Sequence, residues 1–296
     1  MQNKEIIFHL PGAFLFFNGI RDLGLLYKEQ PHYFRENVKI GSAYGSPMCI
    51  WNGGRIIHTY FPKDYLEFVQ KEMEYVNIPV RLTFTNSLLE EQHLYDTTGN
   101  MLLEIFSKGN NEILCNTAIL ENYIRNKYQD TFKYMSSTTK RLNSMKKTNS
   151  ELEKEEYSLV VLDYDFNKNF AYLETIPNKE KCELLCNPVC HPKCTKRIKH
   201  YNEISLNQLE MSEPKFTCED AFKPFWSAMQ NPNFISIQDI YDKYVPMGFH
   251  NFKLEGRTTS MFDWVEIIVY YLIKDEYHLE IRDFLQKALL REDNNE

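Results

Sequence analysis

No stretch of this 296-residue chain approaches the roughly eighteen uninterrupted apolar residues that a membrane-spanning helix needs. The best candidate, 264–273, is too short and contains Glu266. A surplus of positive charge is also missing. With a formal net charge of −7 the chain lacks the lysine and arginine excess on which non-specific phosphate neutralisation rests, which excludes duplex DNA as a partner while leaving local basic patches open. Neither an internal repeat nor a clear linker divides the sequence, so residues 1–296 are expected to form a single domain. No N-terminal signal peptide is visible, and the total of seven cysteines is odd. Reduced thiols in the cytoplasm are therefore expected in place of disulfides. Ser136 and Ser137 lack the G-x-S-x-G setting, which disfavours a serine hydrolase. Composition says nothing of oligomeric state.

What the chain does have is a cluster of sulfur. Cys182, Cys186, Cys190 and Cys194 fall within thirteen residues, together with Pro188, His191 and Pro192. A short, proline-stiffened loop can deliver several thiolates to zinc or iron at little entropic cost. The C-x3-C-x3-C-x3-C spacing matches neither a zinc ribbon nor a ferredoxin run, so the metal stays open. Cys190 and Cys194 carry the most weight. Cys182 and Cys186 border an apolar stretch where a cysteine is often just a small hydrophobe. Cys218 is the residue placed to complete a set from a distance, His191 and His200 are nitrogen alternatives, and scattered free thiols are the plain alternative.

A content of 43% hydrophobic residues can bury a large core. Short β-branched and aromatic runs alternate with helical patterns, which predicts parallel strands joined by helices. Strands are expected at 5–10, 38–43 with 48–51, 80–84, 112–115, 133–135, 159–162, 182–185 and 251–254, and helices at 62–75, 118–128, 146–156 and 260–274. Eight strands, most followed by a helix, fit an α/β fold of the (β/α)8 TIM-like barrel type. The Cys-rich loop then follows strand 7, and 186–230 reads as a Cys-containing insertion on the C-terminal face. Polar residues collect at the carboxyl ends of the strands: Asn52 and Arg55, Asn86, Thr138 and Lys140, Asp163, Asn187, Glu255 and Arg257. In such barrels that end carries the active site. Each position also has a plain reading as a turn or helix cap.

The run Gly248-Phe249-His250-Asn251-Phe252-Lys253-Leu254-Glu255-Gly256-Arg257, preceded by 234–240 and followed by a helix with Tyr270-Tyr271, resembles the collagenase-like peptidase superfamily, peptidase family U32. That superfamily includes oxygen-independent hydroxylases of ubiquinone precursors and of RNA. Lys253, Glu255, Gly256 and Arg257 match its "KIEGR" pattern, with Leu254 as a departure. The likeness covers the C-terminal half. The cysteines are packed more tightly than in the family, and the 51–55 element, with 83–86 and 190–201, resembles a branch seen in bacteria and their phages.

The resemblance implies a [4Fe-4S] cluster on Cys190, Cys194 and Cys218, with the fourth iron position open or held by Cys186, His191 or His200; Zn2+ is the alternative. It implies a small-molecule or RNA substrate at the barrel mouth. In that picture Arg55, Arg81, Lys140 and Arg257 pair with carboxylates or phosphates, and Asp163 and Glu255 act as general acid or base. A structural ion pair is the competing reading for Arg257 with Glu255 or Asp163. Three functions follow: an iron-sulfur oxidoreductase or hydroxylase, a metal-stabilised barrel hydrolase of peptidase or glycosidase type, and a non-catalytic binding protein with structural zinc.

Overall fold

The outward residues of most expected strands are apolar, and they find their partners in a ring of helices. The computed structural model describes residues 4–55, 57–213, 218, 221–256 and 259–291. Eight parallel strands form a closed barrel in chain order: β1 (Ile6–Pro11), β2 (Val38–Gly45), β3 (Val80–Phe84), β4 (Glu112–Cys115), β5 (Lys133–Ser136), β6 (Leu159–Val161), β7 (Cys182–Leu185) and β8 (Asn251–Lys253). The TIM-like (β/α)8 barrel is thus the architecture of this chain.

Helices α1 (Phe17–Glu29), α2 (Lys63–Tyr75), α3 (Thr97–Phe106), α4 (Ala118–Tyr128), α5 (Met145–Leu152) and α6 (Phe170–Thr175) follow β1 to β6 in turn. Their starts have side-chain reasons: Asp96 accepts from the Gly99 N–H at 2.6 Å, Ser144 from Lys147 and Asn169 from Tyr172. After β7 the chain forms α7 (Arg197–Glu210), α8 (Phe225–Ala228), α9 (Ile237–Asp239), a π-helical turn at Ile240–Tyr244 and α10 (Val245–Met247). The interval 195–230, read from sequence only as a wrap around the cysteine loop, therefore contains a full helix. α11 (Met261–Leu272) and α12 (His278–Leu290) close the ring.

Two expectations on local structure need correction. Residues 48–51 are not strand: β2 ends at Gly45, and a turn closed by the Asn52 N–H on the Cys49 carbonyl follows. The segment expected as a solvated helix at 146–156 is shorter and buries Thr148, Glu151 and Leu152.

Period-two alternation divides the side chains. Leu82 and Phe84, Ile113, Val160, Leu184 and Phe252 join the main core between sheet and helices. The barrel interior is different. Leu114, Met135 and Val161 make a small apolar cluster there, while His9, Ser42, Arg81, Glu112, Glu183 and Asn251 are linked in a buried polar layer.

Candidate functional site at the barrel mouth

One residue pair further along each strand from that polar layer, Tyr44, Thr83, Leu114, Leu185 and Lys253 form the floor of a cavity of about 690 Å3. Its walls come from the loops after β2, β5, β7 and β8 and from α7, including Arg55, Thr138, Asn187, Val189, Cys190, Arg197, His200, Cys218 and Glu255. The volume lies within the range of small-ligand pockets. It opens at the carboxyl ends of the strands, where sequence reasoning placed the site.

Arg55 reaches the mouth because the loop before it is rigidly held. Trp51 is fully buried, its indole N–H donating to the His93 carbonyl at 2.7 Å. A Cβ on Gly53 would lie 2.3 Å from the Thr85 carbonyl oxygen, so this close approach requires glycine. Asn52 donates to the Pro47 carbonyl at 2.7 Å, and Asn86 donates to the carbonyls of Ile50 and Ser205 at 2.8 and 3.0 Å. Both were expected to contact substrate. They are instead buried staples of backbone, outside the cavity lining.

Arg55 forms an ion pair with Glu255 on the cavity wall, with side-chain exposures of 25% and 16%. Glu255 also accepts from the Val189 N–H at 3.0 Å, and its backbone is fixed by a double hydrogen bond with the Asn187 side chain at 2.7 and 2.9 Å. Asn187 thus joins the ends of β7 and β8. The competing structural pair for Glu255 is therefore Arg55. Arg257 lies outside the described residues.

Asp163 does not line the cavity. It receives Arg141 at 2.6 Å and Arg197 at 3.2 Å, and burial pushes its carboxyl up while the two guanidinium groups pull it down. Lys140 also points away: its ammonium meets Glu151 at 2.9 Å and the Tyr157 hydroxyl at 2.8 Å behind β5. Arg81 is one layer too deep. It is 0% exposed and donates to Glu112 and Glu183, each at 2.6 Å. Its inward position near the start of β3 puts it below the floor, which corrects its expected contact with substrate.

Two side chains of the cavity lining were under-read. Arg197 is 1% exposed despite sitting in a basic run. It donates to Asp165 and the His191 carbonyl at 3.0 to 3.2 Å, to the Cys190 sulfur at 3.3 Å, and lies 4.1 Å from the Tyr164 ring centroid. Against the effect of burial, the Lys193 N–H and Arg197 hold the Asp165 carboxyl below its usual range. Lys253 was noted only as part of a motif. It lines the floor, 3.9 Å from the Tyr44 ring centroid and 3.6 Å from Glu183 Oε1. His200 lines the wall, and burial, followed by Arg55 and Lys223, lowers its pKa to about 4, so the imidazole is neutral at physiological pH.

A scan against protein-family models finds no match, and no curated protein matches the chain. Among solved structures, the one titled "The Structure of the U32 Peptidase Mk0906" superposes with a TM-score of 0.52 over 88% of this chain and 96% of that chain, at 10% sequence identity. The two share a fold. At this identity the likeness carries the barrel across and leaves the chemistry to the residues.

Those residues do not assemble the expected thiolate set. Among the described residues no three His, Cys, Asp or Glu side chains are grouped as metal ligands. Cys186 is buried, its thiol directed to the Leu184 carbonyl, and burial raises it well above the usual thiol range. Such a thiol resists the deprotonation that ligation needs. Cys194 is half-buried and outside the cavity lining, while Cys190 and Cys218 both line it. Among the described residues no helix is long and apolar enough to cross a membrane.

Proposed function

We propose that the chain is a peptidase-like hydrolase that works at the barrel mouth on a short, charged ligand of peptide size. The observation that carries this reading is the half-buried Arg55–Glu255 pair on the wall of the 690 Å3 cavity, above Lys253 on its floor. A free peptide end presents both an amine and a carboxylate, and a site with one anion and two cations complements it. Glu255 is the carboxylate of the expected acid–base pair that faces the cavity, so it takes the catalytic role. It accepts a proton from water as the water oxygen attacks the scissile carbonyl carbon. It then returns that proton to the leaving amine, ending as the carboxylate it began as. Arg55 stays beside the negative charge that builds on the carbonyl oxygen. A two-carboxylate glycosidase has less support, because Asp163 is held by Arg141 and Arg197 away from the cavity.

The test is incubation of the purified chain with a defined mixture of short peptides, read by mass spectrometry. Cleavage is expected, and Glu255→Gln should slow it by about 100-fold or more. Binding of peptides without cleavage would favour the non-catalytic reading. The metal reading keeps one specific support, Cys190 and Cys218 on the same cavity. It requires a rearrangement of the loop after β7 to bring in further ligands. Anaerobic purification with iron, sulfide and zinc analysis tests it. Stoichiometric iron and sulfide would revive the [4Fe-4S] oxidoreductase acting on a small molecule or RNA. Zinc alone would make the loop a structural centre.

A further inference from the structure

Beside Glu255 the wall of the cavity turns from charged to apolar. The Val189 N–H donates to Glu255 Oε2 at 3.0 Å, and the Val189 carbonyl accepts from the Phe222 N–H at 2.7 Å. Two hydrogen bonds thus tie the segment before α8 to the carboxylate. Its other end is fixed as well, because the Phe225 N–H donates to Asp263 Oδ1 on α11 at 3.0 Å. Val189, Phe222 and Pro224 border the cavity and are only half-buried, so apolar surface is left uncovered within it. Phe225, Ala228 and Ile267 border it too and are buried. The Phe225 ring is wedged against Tyr270 at 5.6 Å and Phe234 at 6.2 Å between centroids, which makes this face a rigid one. Ala228 lies three residues on, on the same side of the helix, and its small side chain leaves room that a larger one would fill. From α11, Ile267 reaches the residue next to the carboxylate: its Cδ1 lies 3.3 Å from where a Cβ on Gly256 would sit. Asp263 borders the same face, but its two oxygens take the Phe225 N–H and the Ser260 hydroxyl.

We infer that this apolar face is a specificity pocket, which receives a large hydrophobic side chain of the peptide residue adjoining the scissile bond. This rests on the hydrolase reading for the ligand being a peptide, and it deepens that reading by naming the class of residue cleaved. The occupant follows from position, because the face begins at Val189, one hydrogen bond from the carboxylate that activates water. Its chemistry follows from the lining. Each methylene that a ligand buries there strengthens binding by about fourfold, whereas a charged side chain would exchange water for rings and methyl groups. A wall already held by its neighbours also spares the ligand the cost of ordering it.

Calorimetric titration of the full chain with triglycine, glycyl-leucyl-glycine and glycyl-phenylalanyl-glycine tests the pocket, since the central residue adjoins both peptide bonds. The leucine and phenylalanine peptides should bind at least about tenfold more tightly than triglycine. Phe222→Ser strips apolar surface from the face and should cut that advantage to about threefold or less. Ala228→Leu fills the pocket and should weaken the phenylalanine peptide more than the leucine peptide. Because Phe222 is half-buried, its variant keeps the test decisive even where the change at buried Ala228 prevents folding. Equal binding of the three peptides, binding of none, or an advantage that Phe222→Ser leaves whole overturns the proposal. So does a folded Ala228→Leu chain that binds the phenylalanine peptide as before. Preferential binding without cleavage of any peptide would leave the pocket standing and remove the hydrolase. Cleavage of all three at equal rates would keep the hydrolase and remove the pocket.

Discussion

Two layers of the barrel interior lie one step apart along the same strands, and they use charge in opposite ways. In the lower layer Arg81, Glu112, Glu183 and His9 meet one another at 2.6 to 3.5 Å, all buried. In the upper layer, and in the loops that wall it, Lys253, Arg55 and Glu255 border a cavity. The lower arrangement sets which strands face which, since each charge is tolerable only beside its partner. The upper one presents charge to the cavity. The difference teaches that a polar strand residue of this barrel joins the buried network or borders the cavity according to its depth, which its type does not reveal.

Removing the centre of the lower layer should have the largest effect. Arg81→Met leaves two buried carboxylates uncompensated and should cost about 3–5 kcal/mol, seen as a lowered midpoint in urea unfolding. An unchanged midpoint would collapse the contrast between the layers.

Acid should act on the lower layer next, in two windows. Burial and Arg81 lower the His9 pKa to about 4, so the folded state keeps His9 neutral while the unfolded state, near 6.5, takes up a proton. Stability from His9, roughly 3 kcal/mol, is present above pH 6.5 and lost as pH falls towards 4. Burial works to raise the Glu183 carboxyl, but Arg81, His9 and Lys253 hold it at about 2, below the ordinary 4.5 of a glutamate. Its contribution is present above pH 4.5 and disappears as pH falls towards 2. Unfolding free energies measured across these ranges should show both declines, and His9→Asn should flatten the first.

Arg197 belongs to the wall but is held like the lower layer. Arg197→Gln should cost about 2–4 kcal/mol and expose the amides of the cysteine loop to hydrogen exchange. Protection unchanged in that loop would show that Arg197 is not its anchor. The smallest effect on stability is expected for Arg55→Gln, less than about 1 kcal/mol because the pair is partly solvated. That same variant should weaken peptide binding, read by calorimetry. A large loss of stability with binding intact would move Arg55 into the structural group.

The strands were legible because their cause is local. β3, β4 and β7 coincide with the expected segments, since β-branched and aromatic runs bounded by turn residues leave few alternatives. The strand-end rule also led to the end of the barrel that carries the cavity, and to Arg55, Thr138, Asn187 and Glu255 on its lining. It failed for Asn52 and Asn86, whose amides pair with backbone in loops, because a loop staple and a ligand contact use the same residue types. Lys140 and Asp163 looked like site residues for their charge, but their counter-ions lie on elements that no spacing rule predicts. Spacing likewise suggested four converging thiols, whereas the end of β7 sends Cys186 into the core and leaves Cys190 on the cavity beside Arg197.

By itself the amino-acid sequence determined the eight strands, four of the helices and the end of the barrel at which polar groups gather, because periodicity and turn chemistry act over a few residues. Only the tertiary structure decided that Arg81 joins Glu183 across 102 positions of chain, that Arg55 meets Glu255, and that Lys253 and not Arg81 reaches the cavity. Barrel closure and strand register create those meetings, and both depend on the packing of the whole chain at once.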